Sequence, residues 1–205
     1  RGGPGTGLGQ RERRGQDQGA LHDSTTSAAF APLSRQEVTH SLPPSRIVAE
    51  NLHREAPGTI VIDTGNTLLY YVLGQGRAIR YGVGVGREGF TWSGVQTVSR
   101  KASWPDWHPP AEMIARQPYL PRFVAGGPGN PLGAAAMYLG SSAYRIHGTN
   151  DPSTIGKFVS SGCIRLTNED VQDLASRVSI GTRVVVLPKG GRIEEIDDHR
   201  DRSEE

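Results

Sequence analysis

The sequence is poor in cysteine, in aromatic residues and in long hydrophobic runs. Its 205 residues include a single cysteine, Cys163, and only 6% Phe, Trp and Tyr. One cysteine cannot form an internal disulfide, and without a cysteine cluster the common structural zinc sites are excluded. Hydrophobic residues make up 35% of the chain. No apolar run approaches the roughly 20 residues that cross a bilayer, so we expect no membrane span in this chain.

An excess of charge of one sign is also lacking. The chain has 23 Lys and Arg against 21 Asp and Glu, a net charge of +2. No cationic stripe stands out, so we expect no nucleic-acid partner. The six histidines include no two at the i, i+3 or i, i+4 spacing of metal-binding helices. We therefore predict no metal site, and the residues call for no cofactor.

Glycine and proline are abundant, at 27 and 14 residues. Together they make up one residue in five, against an average of about 12%, which favours many short connections and a β-rich fold. The low-complexity start predicts a disordered or linker-like segment over 1–45. One folded domain is predicted over 46–188, followed by a charged flexible tail over 189–205.

Apolar and β-branched runs from Gly58 onward predict an α+β fold that is mainly β. TIVID (59–63) and TLLYYVL (67–73), separated by TGN, predict a hairpin. Further strands are predicted at 77–85, 97–104, 135–139, 143–147 and 183–188. Short helices are predicted at 110–116 and 168–178, the second with Thr167 as its N-cap and Asp170 at the capping-box position.

A literal G-x-G-x-x-G pattern stands at Gly84, Gly86 and Gly89. A dinucleotide site needs a helix directly after this pattern, and the following FTWSG does not start a helix. The pattern therefore favours a turn or a bulge.

The residues best suited to chemistry lie within 144–171. His147 stands at the end of a predicted strand, and Cys163 follows sixteen residues later. A free thiol has a pKa of about 8.5, so a nearby imidazole is needed to take its proton and later return it. Gly162 permits a bend and close substrate approach, and Arg165 suits a substrate carboxylate. A lone cysteine is more often buried and inert, and a lone histidine structural, so the prediction rests on the pair.

At these residues the sequence resembles the L,D-transpeptidase catalytic domain, the YkuD-like family of bacterial cell-wall enzymes. The resemblance rests on IHGTN (146–150) and IGKFVSSGCIRL (155–166), with upstream support from GTIVIDTGNTLLYYV and NPLGAAAMYL, and covers about residues 57–188. It implies an L,D-transpeptidase-type β-sandwich or barrel with one or two short helices. Most members have His before Gly-Cys; this chain resembles the branch with Ser-Ser-Gly-Cys and has Ser161 there.

The resemblance implies a role for each site residue. Cys163 would be the nucleophile and His147 the general acid and base, oriented by the backbone carbonyl of Gly148. The remaining implied residues fall into two groups: oxyanion-hole amides at Ser161, Gly162 and Cys163, and substrate-binding side chains at Arg165, Ser160 and Tyr144. No metal or organic cofactor is implied.

The implied partners are peptidoglycan stem peptides. A tetrapeptide donor would acylate the cysteine and release D-Ala, and the amine of a second stem would then form a 3→3 cross-link. The acceptor stays open between that amine, a free D-amino acid, a lysine of an outer-membrane protein, and water, which would make a carboxypeptidase. Two other functions stay open: a non-catalytic peptidoglycan-binding module and a papain-like protease. The second is disfavoured because Cys163 precedes a short strand instead of a long helix.

Members of this family are generally exported, so the resemblance implies a periplasmic or cell-envelope protein. The chain starts at Arg1 without a methionine. We therefore expect that a signal peptide or anchor is missing from it.

Overall fold

A computed structural model of the chain describes residues 45–188 and 190–193. The predicted N-terminal segment, apart from Ser45, and most of the predicted tail lie outside these residues. The described part is mainly β with two short α-helices, which confirms the predicted fold class. The strands are β1 (Ser45–Val48), β2 (Ile60–Asp63), β3 (Leu68–Gly74), β4 (Arg77–Gly82), β5 (Val85–Gly86), β6 (Gly94–Ser103), β7 (Ala135–Leu139), β8 (Arg145–His147), β9 (Phe158–Ser160), β10 (Ile164–Arg165) and β11 (Arg183–Val186). The helices are α1 (Ala111–Arg116) and α2 (Asn168–Arg177), with 3-10 turns at Glu50–Arg54 and Pro152–Thr154.

The predicted hairpin is confirmed as β2 and β3, which pair antiparallel. Asp63 fixes the turn, since its carboxylate accepts hydrogen bonds from the Asn66 amide (3.0 Å) and the Asn66 side chain (2.9 Å). A short polar side chain that bonds its own backbone a few residues on is a common way to nucleate a turn.

Nine strands form one sheet in the order β1-β4-β3-β2-β11-β6-β7-β8-β10. The ten-residue strand β6 joins its two halves: Gly94–Thr97 pairs with β11, and Val98–Ser103 pairs with β7. The sheet curls around a shared core instead of lying flat. The sequence predicted only the second part of β6, from residue 97, because Gly94–Gln96 lacks an apolar pattern.

The core explains which predicted elements form. β2 is buried on both faces: Ile60 and Ile62 enter the main core, whereas Val61 faces a second, smaller core. Helix α2 covers the main core with Val171 and Leu174. Fully burying one such leucine contributes about 2 kcal/mol. The predicted N-cap is confirmed, since Thr167 Oγ1 accepts from the Asp170 amide at 3.1 Å.

The flexible tail was predicted to start at residue 189, but the structure shows ordered contacts up to Ile193. Ile193 is 8% exposed and packs in the smaller core, and its amide donates to Asp63 Oδ2 at 3.0 Å. Because Asp63 also fixes the β2–β3 turn, residues 190–193 are tied to the sheet. Among the residues described, no helix combines the length and apolar character needed to cross a bilayer.

Candidate active site

Strands β8 and β10 bring the histidine and the cysteine to one face of the sheet. They pair in parallel, with Arg165 beside His147. Cys163 directly precedes β10, at the end of the loop that leads into it. His147 and Cys163 both line a cavity of about 650 Å³. The two residues, sixteen positions apart in sequence, therefore share one cavity, in which Cys163 Sγ lies 3.9 Å from the carbonyl oxygen of Ala143.

His147 is held in a defined neutral form. Its Nδ1 lies 2.5 Å from the carbonyl oxygen of Gly148, which can only accept, so Nδ1 carries the proton and Nε2 is left as a base. The side chain is 4% exposed. Burial is the main cause that lowers the pKa of His147 to about 3; the positive charges of Arg165 and Arg145 lower it further, and the bond to Gly148 opposes them. At neutral pH the ring is able to accept a proton.

Asn168 fixes the backbone around His147, which the sequence did not indicate. Its side-chain oxygen accepts from the amides of Ala134 (2.9 Å) and Thr149 (3.2 Å). A Cβ on Gly148 would lie only 2.4 Å from the same oxygen, so this close approach requires glycine. From the sequence, Asn168 is predicted only as the first residue of a helix. Its hydrogen-bond partners are distant in sequence, so no local pattern predicts them.

The loop that carries Cys163 is closed by Ser160. The Ser160 hydroxyl donates to the Cys163 carbonyl (2.6 Å) and accepts from the Gly162 amide (3.1 Å). Ser160 is 1% exposed, and its hydroxyl makes both of these bonds within the loop. Ser160 also lines the cavity, so its predicted contact with substrate stays a prediction beside its role in shaping the loop. Gly162 has a φ of +106°, the left-handed region that favours glycine.

The hydrogen bonds of the same loop bear on the predicted oxyanion hole. Because the Gly162 amide already donates to Ser160, it cannot also bind an oxyanion without breaking that bond. Within the described part of the chain, the amides of Ser161 and Cys163 have no hydrogen-bond partner. These two are the donors available for a developing negative charge.

Two aromatic rings support the loop from one side. Trp92 and Tyr144 stack with centroids 4.7 Å apart and planes 6° apart. Trp92 Nε1 donates to the Gly162 carbonyl at 2.9 Å. Tyr144 lines the cavity, as expected of a substrate-binding residue, and its ring would clash with any Cβ at Gly162. The sequence suggested no such support role for Trp92.

The glycine-rich segment forms another wall of the site. No helix follows it, and the register shifts between Val85 and Gly86, so the turn-or-bulge interpretation is confirmed. The predicted strand 77–85 is two strands, since β4 ends at Gly82 and β5 pairs in parallel with β9. Gly84 and Arg165 exchange two backbone hydrogen bonds of 2.9 and 2.8 Å.

Arg87, which follows β5, contacts Ser161, the residue that stands where most family members have histidine. Its Nη1 donates to Ser161 Oγ at 3.2 Å. The Ser161 side chain is thus tied to the cavity wall. Arg165 is half-buried in the same cavity, and burial lowers its pKa. Among the described residues, no group of three or more His, Cys, Asp or Glu side chains is arranged to hold a metal.

The comparisons with known proteins agree on one family. The family model of the L,D-transpeptidase catalytic domain, YkuD, matches residues 57–186. The chain is 36% identical over 167 residues to the probable L,D-transpeptidase ErfK/SrfK of Escherichia coli K12, a match that covers 77% of this chain and 51% of that protein. It is 57% identical over 76 residues to the putative L,D-transpeptidase YkuD of Bacillus licheniformis, covering 37% and 41% of the two chains. The chain thus spans about half the length of the curated relatives it matches.

A solved structure shows the same fold. The L,D-transpeptidase from Mycobacterium smegmatis superimposes with a TM-score of 0.53 at 18% sequence identity, covering 65% of this chain and 59% of that one. At this identity the likeness concerns the fold alone.

Proposed function

The chain belongs to the L,D-transpeptidase catalytic domain family, and we propose that it is a peptidoglycan L,D-transpeptidase working through a thioester on Cys163. The observation that carries the proposal is the shared cavity of Cys163 and His147, with His147 neutral and its Nδ1 fixed by Gly148. A neutral imidazole beside a thiol is the arrangement that activates a cysteine nucleophile.

In the first half-reaction, Nε2 of His147 takes the proton of the Cys163 thiol. The thiolate attacks the carbonyl carbon of the third residue of a tetrapeptide stem, forming a carbon–sulfur bond. The amides of Ser161 and Cys163 donate to the oxygen that becomes negative. The carbon–nitrogen bond to D-Ala then breaks, the nitrogen takes the proton held by His147, and D-Ala leaves as the free amino acid.

In the second half-reaction, the amine of a second stem attacks the thioester. His147 accepts a proton from that amine, the carbon–sulfur bond breaks, and the released thiolate takes the proton back. The product is a 3→3 cross-link when the amine belongs to another stem, or an attached amino acid or protein when it belongs to another acceptor. Water in the same place would give a carboxypeptidase.

Two side chains complete the proposed donor site. Arg165 points into the cavity beside His147, where its guanidinium suits a carboxylate, and Tyr144 offers a ring edge next to the nucleophile loop. Peptidoglycan lies outside the cytoplasmic membrane, so we propose that the domain acts in the periplasm or cell envelope.

The test is a reaction of the purified chain with a disaccharide-tetrapeptide donor, with and without an acceptor stem. We expect release of D-Ala, a thioester mass on the protein and cross-linked dimers. Cys163→Ala should abolish all three, and His147→Asn should lower the rate of thioester formation by at least about 100-fold. His53→Asn, a change at an exposed histidine, is the matched control and should leave the rates unchanged.

The outcomes separate the alternatives. Release of D-Ala without dimers, in the presence of acceptor, would identify a carboxypeptidase. Binding of the donor without any thioester would indicate a non-catalytic module. Dimers formed at the wild-type rate by Cys163→Ala would refute the proposed nucleophile.

A further inference from the structure

The cavity that holds Cys163 is strongly positive. Four arginines line it: Arg87, Arg116, Arg145 and Arg165. Among its lining residues the single acidic side chain is Glu112. The whole chain, by contrast, has 23 basic against 21 acidic residues. The positive charge is therefore concentrated at this site and is not a general property of the protein.

The four arginines have no carboxylate partner of their own. Within residues 45–188 and 190–193, none of them forms an ion pair, and Asp151 acts on Arg165 only at longer range. The Nε groups of Arg145 and Arg165 are buried without a hydrogen-bond acceptor. An arginine charge that is partly buried without a carboxylate partner is costly, so this arrangement favours an anionic ligand at the guanidinium groups.

The arginines form two pairs around the reacting groups. Arg145 and Arg165 flank His147: Arg165 is its neighbour across β8 and β10, and Arg145 precedes it by two residues on the same face of β8. Arg87 and Arg116 lie against one ring, with their guanidinium carbons 4.1 and 5.5 Å from the centroid of Phe90. The first pair is therefore beside the site of bond formation, and the second adds to the positive field at the wall.

We propose that Arg145 and Arg165 select donor stems whose third residue carries a free side-chain carboxyl, and discriminate against stems in which that carboxyl is amidated. This inference rests on the proposed function, which places the third residue at Cys163. A carboxylate can accept two parallel hydrogen bonds from a guanidinium and also cancels its charge. A carboxamide offers one acceptor, no charge, and a donor group that faces other donors.

Selection at this place also affects the chemistry. The charges of Arg145 and Arg165 disfavour the protonated form of His147. A carboxylate paired with them offsets that repulsion, so the bound donor itself makes it easier for His147 to hold the proton that D-Ala needs on leaving. An amidated donor leaves the repulsion in place, so its acylation should be slower as well as its binding weaker.

The test compares two synthetic tetrapeptide donors that differ only in this group, acid or amide. The wild-type protein should form the thioester with a kcat/KM about 10- to 100-fold higher for the acid. Arg145→Gln and Arg165→Gln should reduce that preference to a few-fold, chiefly by slowing the acid donor. Arg100→Gln is the matched control, because Arg100 lies over the ring of Tyr138, as Arg145 does, but does not line the cavity.

Two further measurements keep the test decisive. Raising the salt from about 0.05 M to 0.5 M should weaken the wild-type preference for the acid, a result that needs no variant to fold. Calorimetry on Cys163→Ala should show tighter binding of the acid donor without any chemistry. Equal rates and equal binding for the two donors would overturn the selectivity and leave the proposed function intact. Failure of both donors to form a thioester would overturn the proposed function as well.

Discussion

The buried neutral state of His147 makes the stability of the fold depend on pH. In the unfolded chain a histidine has a pKa of about 6.5, whereas burial lowers the pKa of His147 in the folded protein to about 3. Between these values the unfolded state binds a proton that the folded state does not. Stability is therefore fully present above about pH 6.5 and is lost as the pH falls toward 3.

The size of this effect follows from the same two values. A difference of about 3.5 in pKa corresponds to about 5 kcal/mol over the whole range, of which about 2–3 kcal/mol is lost between pH 7.5 and 4.5. Because the side chain is 4% exposed, little of this is screened by solvent. For a domain of this size, such a loss is a large part of the total stability.

The assay is urea unfolding followed by tryptophan fluorescence at a series of pH values. His147→Asn is the comparison, since its side-chain amide keeps a donor near the Gly148 carbonyl and does not titrate. Carboxylates that titrate in both proteins, such as Asp173 beside Arg177, cancel in the difference. The variant should lose about 2–3 kcal/mol less than the wild type between pH 7.5 and 4.5. Identical pH dependence in the two proteins would refute the argument that His147 is held neutral by burial.

Three other predictions concern the surroundings of the site. Trp92→Phe keeps the stack on Tyr144 but removes the hydrogen-bond donor to the Gly162 carbonyl. The kcat/KM for thioester formation should therefore fall about 10-fold, with little change in Tm. An unchanged rate would contradict the support role of Trp92. Gly86→Ala places a Cβ 2.3 Å from the Phe90 carbonyl oxygen, so urea unfolding should show a loss of about 2–4 kcal/mol. The control is Gly129→Ala, where a Cβ would meet nothing within 4 Å. It should change stability by less than about 0.5 kcal/mol. Asn168→Ala leaves the backbone amides of Ala134 and Thr149 unpaired and should lower the free energy of unfolding by about 2–3 kcal/mol. Asn168→Asp should lower it less, because the aspartate keeps an acceptor. Equal losses in the two variants would argue against these hydrogen bonds.

Local signals account for the elements that the sequence predicted well. The hairpin of β2 and β3 has β-branched strands and a turn closed by Asp63, all within a few residues. Helix α2 has its N-cap and its apolar spacing in one short segment. Such elements are specified by neighbours in sequence, so a pattern reveals them.

The sequence was sufficient to predict that His147 and Cys163 belong to one site. His147 and Cys163 stood out through their spacing and the resemblance, and the structure places both on one cavity. Their roles in the reaction stay predictions that the proposed assay tests.

The parts that the sequence did not reveal depend on distant partners. Trp92 reaches a carbonyl 70 residues away, and the sequence contains no pattern that records this contact. The hydrogen bond from the Gly162 amide to Ser160 was also hidden, because a side chain that folds back into its own loop leaves no periodic pattern. The buried Ile193 was similarly hidden in a charged segment.

The parallel pairing of β8 with β10 has a consequence for how this cavity could change its substrate. Main-chain hydrogen bonds align His147 with the strand that directly follows Cys163, and these bonds do not depend on the identity of the neighbouring side chains. Arg145 and Arg165 stand on the same two strands, and their side chains take no part in those main-chain bonds. Replacing them would give the cavity a new preference while the reacting pair keeps its alignment, so new specificities could arise here without rebuilding the catalytic machinery.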